Sequence, residues 1–120
     1  MNINLKGGEE IGHDIFGYNQ NGESIAYARF SMSNSAAGIL YRLLDATEFD
    51  GGVSGIGAKE TYSIQQMEKS LENFKRIYYR IGSSKHENSF LEQDLEQISN
   101  FITKCLQTAN EEGDVTVIFA

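Results

Sequence analysis

The stretch His13-Asp14-Ile15-Phe16-Gly17-Tyr18-Asn19-Gln20-Asn21-Gly22-Glu23-Ser24-Ile25-Ala26-Tyr27-Ala28-Arg29-Phe30 decides the fold. Two runs rich in β-branched and aromatic residues, His13 to Tyr18 and Ser24 to Phe30, flank Asn21-Gly22, a dipeptide that tolerates the positive φ values of a type I′ turn. They are predicted to form a β-hairpin. In the second run Ala26, Ala28, Phe30 and Met32 share one face, and Ile25, Tyr27 and Arg29 the other. Apolar bulk on both faces predicts a central strand. Ile3 and Leu5 offer a short earlier strand on thinner evidence.

Downstream the period changes from two to 3.6. After Ser33-Asn34-Ser35, whose side chains can cap a helix, Ala36, Ile39, Leu40 and Leu43 form an apolar stripe that predicts a short helix to about Asp45. Ser63 and Gln66 form a capping box, and Ile64, Met67, Leu71, Phe74, Tyr78 and Ile81 predict a second helix stopped by Gly82. A third is predicted over Glu87 to Glu112 from Leu91, Leu95, Ile98, Ile102, Cys105 and Ala109, with Gly113 as its left-handed stop. The second helix carries Lys69, Lys75, Arg76 and Arg80 against Glu68 and Glu72, whereas the third is strongly acidic. Opposite charge favours pairing them as a helical hairpin, but exposed pairs are worth only about 0.2–1 kcal/mol each, so the apolar stripes must supply most of the energy.

Asp114-Val115-Thr116-Val117-Ile118-Phe119-Ala120 is a strand former that would expose an adhesive edge unless it joins the N-terminal sheet. The fold expected is a single α+β domain over 1–120. A small antiparallel sheet (the N-terminal hairpin plus the C-terminal strand) is covered on one face by three helices, the last two forming an antiparallel hairpin.

Composition excludes several functions. The 120 residues suit one core that buries roughly two thirds of the unfolded chain's surface. Ten basic against seventeen acidic side chains give a net charge of −7. That charge repels a nucleic-acid backbone and leaves a neutral or basic protein as the expected partner. Cys105 is the single cysteine, so no internal disulfide forms. Met1 to Gly8 holds no signal-like apolar run, and no stretch approaches membrane-spanning length. A cytoplasmic location and no membrane contact are the expectation.

Between Asp50 and Ala58 four glycines, Gly51, Gly52, Gly55 and Gly57, fall within seven positions. Such a cluster loses much backbone entropy on ordering. It is open to three readings: a connector, a protein-contacting loop, or a small-ligand cradle formed by Asp50, Gly52, Ser54, Gly55, Gly57 and Lys59. The phosphate-binding fingerprints are absent, because no Gly-Lys-Ser/Thr follows and the G-G-x-x-G-x-G spacing comes after a helix. Asp45, Glu48, Asp50 and Glu60 also outweigh Lys59 where an anion would bind.

Cys105 lies on a core stripe. His13 and His86 have no metal-ligand spacing, and His13-Asp14 reads as a solvated pair. Ser54 is not in a G-x-S-x-G elbow. No catalytic residue, metal or cofactor is expected. Lys75 to Arg80 reads as intramolecular packing, with Glu72 pairing Arg76. Tyr27, Arg29 and Tyr41-Arg42 are residue types favoured as interface anchors, although burial at the sheet margin is the plainer reading.

The sequence therefore points to a small acidic protein-binding module of inhibitor or adaptor type. The alternatives are a small-ligand-binding protein or enzyme using loop 50–59, and a homo-oligomer joined through the Val115 to Phe119 edge or the long helices.

Overall fold

Asn21-Gly22 does turn a hairpin, but through a longer loop than a two-residue turn. The computed structural model describes residues 12–31, 34–47, 57–83 and 92–120. Strand β1 (Gly12–Tyr18) pairs antiparallel with β2 (Ser24–Ser31). Gly22 N–H donates to Asn19 O and Asn19 N–H to Glu23 O, both at 3.0 Å. Gly22 alone of this loop takes positive φ, at 81°. The geometry is that of a three-residue hairpin loop with a bulge at its base. Asn19 selects it, because its Oδ1 accepts from both Asn21 N–H and Glu23 N–H.

Helix α1 (Ala36–Leu43) follows, begun by Asn34, whose Oδ1 accepts Ala36 N–H at 2.9 Å. Strand β3 (Ala58–Ser63) leads directly into helix α2 (Ile64–Ser83). The capping box is formed at that junction: Ser63 N–H donates to Gln66 Oε1 at 2.8 Å and Gln66 N–H to Ser63 Oγ at 3.1 Å. Helix α3 (Glu92–Glu112) ends at Gly113, φ 98°, and β4 (Asp114–Phe119) follows it.

The sheet order is β2-β1-β4-β3, antiparallel throughout, and all three helices cover one face. Its inner side is built from Ile15, Ala28, Phe30, Tyr62, Val115, Val117 and Phe119, all buried. Small residues make the floor beneath α3: a Cβ placed on Gly17 would lie 2.8 Å from Cys105 Sγ and 3.2 Å from Ala26 Cβ. That shallow floor lets α3 press Ile98, Phe101, Ile102 and Cys105 into the core. Each large side chain so buried contributes about 1.5–3 kcal/mol.

Four further sequence expectations change. The strand β3 was not foreseen; Lys59, Glu60 and Thr61 are all exposed, as charge on an edge strand protects it from pairing with other chains. β2 is an edge strand rather than a central one, so the apolar groups on its outer side face no second core. Its free edge is instead stopped by α3: Arg29 N–H donates to Gln97 Oε1 at 2.8 Å and Gln97 Nε2 donates to Arg29 O at 3.1 Å. Gly82 lies inside α2 and does not end it. Finally, β4 is flanked by β1 and β3, so the Val115 to Phe119 edge offers no surface for an oligomer.

The α2 and α3 helices pack side by side as expected, yet no ion pair joins them among the described residues. Their polar tie is Tyr78 Oη–H donating to Glu92 Oε2 at 3.0 Å. Ile3 and Leu5, and the start of the third helix foreseen at Glu87, lie outside the described residues.

Candidate functional site

The sheet face turned away from the helices is the surface to which the alternation of β1, β2 and β4 sends its second set of side chains. The register places Tyr27 beside Phe16, Phe16 beside Ile118, and Ile118 beside Lys59. In the adjoining row Tyr18 lies beside Thr116, which meets Thr61. Arg29's backbone is directed at Gln97, so the cross-strand pairs Arg29/Asp14 and Tyr27/Phe16 are of the non-hydrogen-bonded kind, whose side chains approach most closely. The Phe16 and Tyr27 rings are accordingly 4.9 Å apart between centroids, and Phe16 and Tyr18 6.2 Å. Tyr27 is 49% exposed, and Phe16, Tyr18, Ile25 and Ile118 are half-buried.

One ion pair borders this aromatic row. Arg29 Nη1 donates to both oxygens of Asp14, at 2.8 and 2.7 Å, and Tyr27 Oη–H donates to Asp14 Oδ1 at 2.6 Å. Partial burial acts to raise the Asp14 carboxyl, but hydrogen bonds from Arg29 and Tyr27 and the charge of Arg29 together hold it below its ordinary value. Burial, then the bond to Asp14, raise Tyr27. The network fixes the Tyr27 ring while leaving half of it in water.

Because Asp14 has a lower pKa folded than unfolded, its contribution to stability is complete above about pH 4 and disappears as pH falls through the folded value. A half-exposed pair of this kind is worth about 0.2–1 kcal/mol. Denaturation of wild type and Asp14→Asn is expected to show that difference at pH 6 and to show it closing near pH 2.

Negative charge gathers at one end of this face. Gln20 in the β1–β2 loop donates from its backbone N–H to Glu112 Oε1 at 2.8 Å, drawing that loop to the C-terminal end of α3. Glu23 stands at the base of that loop, its Oε1 accepting from Asn19 Nδ2 at 2.8 Å, and Asp114 opens β4 two residues before Thr116. Two glutamates in the last turn of a helix oppose its dipole, at a cost of about 0.3–1 kcal/mol each.

The residues foreseen as a site are divided. Asp50, Gly52, Ser54 and Gly55 lie outside the described residues. Gly57, φ 76°, donates its N–H to Phe119 O at 3.1 Å and so belongs to the sheet's margin, while Lys59 is on the open face. Of the four anchor-type residues, Tyr27 and Arg29 reach the open face, Arg42 is exposed elsewhere, and Tyr41 is fully buried. His13 is not solvated. It is 3% exposed, with Nδ1 3.0 Å from Tyr41 Oη. Cys105 is buried as expected, and burial pushes its thiol up to about 12, which keeps it protonated and unreactive at neutral pH. Sequence reasoning missed Asp14, Phe16 and Tyr18 as members of the site, since only the strand register brings them to Tyr27.

Among the described residues no helix is long and apolar enough to cross a membrane. Comparison with protein-family models, with curated proteins and with solved structures gives no match, and no family is assigned.

Proposed function

We propose that the chain is a protein-binding module of inhibitor or adaptor type that receives a basic protein segment on the uncovered face of its sheet. The observation that carries this reading is the cluster of Tyr27, exposed, with half-buried Phe16 and Tyr18, on a face whose one end carries Glu23, Glu112 and Asp114. Aromatic rings supply contact area at small entropic cost and attract Lys or Arg through their faces. The glutamates at the end of α3 supply a negative field that steers such a partner.

Charge and size both disfavour a second copy as the occupant. Two copies would bring −7 against −7. From strand spacing and rise the face measures roughly 19 by 20 Å, or about 400 Å². A stable dimer needs about 800 Å² per partner. A segment presenting one or two apolar side chains between basic ones fits the available area.

Photo-crosslinking in the native cell tests the reading. Tyr27→p-benzoylphenylalanine is expected to form adducts whose captured segment is net positive. Ser54→p-benzoylphenylalanine in the glycine-rich loop and Tyr79→p-benzoylphenylalanine on α2 are expected not to capture that segment. No adduct at position 27, a neutral or acidic captured segment, or equal capture from 54 or 79 contradicts it.

A further inference from the structure

On the helical side of the molecule, between the C-terminus of α1 and the first turns of α2, lies a cleft of about 420 Å³. That is within the 300–1,000 Å³ range of small-molecule sites. Its floor is already satisfied: Tyr62 Oη–H donates to Leu44 O and Ser70 Oγ–H to Leu43 O, both at 2.7 Å, covering the last carbonyls of α1. Its rim is not. Arg42, Asp45 and Lys69 line the cleft, and among the described residues none of the three is in an ion pair or a side-chain hydrogen bond.

Asp45 departs from two local rules at once. It has φ 55° where glycine is the usual helix-ending residue, and it places a carboxylate at a helix C-terminus, where the dipole disfavours one. Gln66 and Asn73 also line the cleft, with Gln66 Oε1 accepting from Ser63 N–H and Asn73 Oδ1 from Arg76 Nη1.

The cleft thus offers two cations and one carboxylate. We infer that it binds a free acidic amino acid, aspartate or glutamate. The ligand's two carboxylates pair with Arg42 and Lys69, its ammonium pairs with Asp45, and its net charge of −1 balances the +1 of the rim. A guanidinium donates two parallel hydrogen bonds to a carboxylate, which a lysine cannot match, so Arg42 is the principal anchor. This site is separate from the sheet face and does not depend on the docking proposed there.

Calorimetric titration of the full chain with L-glutamate, L-aspartate, glutarate and L-glutamine tests the inference. One of the two acidic amino acids is expected to bind at least about tenfold more tightly than glutarate, which lacks the ammonium, and than glutamine, which lacks the second charge. Arg42→Gln is expected to weaken that binding at least about tenfold. Asp45→Asn, which keeps a residue tolerant of left-handed φ, is expected to abolish the preference over glutarate. No binding by either acidic amino acid up to about 10 mM, or equal binding of glutarate or glutamine to the wild type, overturns it. So does undiminished binding by Arg42→Gln.

Discussion

Replacing Tyr41 by alanine is expected to cost about 3–5 kcal/mol of folding stability, measured by chemical denaturation. The side chain is fully buried, stacks on Phe119 with centroids 5.5 Å apart and meets the edge of His13 at 5.3 Å. Removing it leaves a cavity where α1 joins the sheet, and relaxation into close-packed surroundings is only partial. Against a typical total of about 5–15 kcal/mol, such a loss brings a small domain near unfolding. Tyr41→Phe separates packing from polarity. It keeps the ring but deprives buried His13 Nδ1 of its hydroxyl partner, and about 1–3 kcal/mol is expected to be lost. A neutral Tyr41→Phe would show that the bond contributes nothing to the core.

The second large effect comes from adding atoms. Gly17→Ala reduces the entropy lost on folding, yet it is expected to destabilise by about 1–3 kcal/mol because the new methyl would meet Cys105 Sγ at 2.8 Å. The contact is specific, so its relief is testable. Cys105→Ala removes the sulfur, and in a double-mutant cycle the two substitutions are expected to couple favourably by about 0.5–3 kcal/mol. The recovery should be incomplete, since Ala26 Cβ remains at 3.2 Å. Strict additivity would mean that α3 moves away from the sheet at no cost.

How much of this was legible depended on whether the deciding interaction was local. The capping pair Ser63 and Gln66, the stop at Gly113 and the α3 stripe through Leu95, Ile98, Ile102 and Cys105 are contacts within a few turns, and each forms as its spacing indicates. Asn21-Gly22 locates the hairpin, but Asn19, two residues upstream, sets the turn. β3 was hidden because Lys59 and Glu60 are poor strand formers, tolerated at an edge that needs protecting. The outer side of β2 is the more instructive error. Ile25 and Tyr27 opposite Ala26 and Ala28 read as a strand between two cores, and period-two alternation cannot distinguish a second core from an uncovered face. Only the strand order separates them. The same long-range register assembles Asp14, Phe16, Tyr18 and Tyr27, so the site was visible in residue type at Tyr27 and Arg29 but not in extent. Arg42, Asp45 and Lys69 likewise become one rim only when α1 and α2 pack together.

The affinity of the segment captured at position 27, measured for purified Tyr27→Ala, Tyr27→Phe and Tyr79→Ala, tests the docking face most directly. Tyr27→Ala is expected to weaken binding by about 2 kcal/mol or more, roughly thirtyfold, because a large aromatic anchor carries much of the energy of a small interface. Tyr27→Phe, which keeps the ring, should retain most of the affinity, and Tyr79→Ala should be neutral. Wild-type binding should weaken as salt rises. Full affinity in Tyr27→Ala, or a loss in Tyr79→Ala as large as that in Tyr27→Ala, would contradict the assignment of the sheet face as the binding surface.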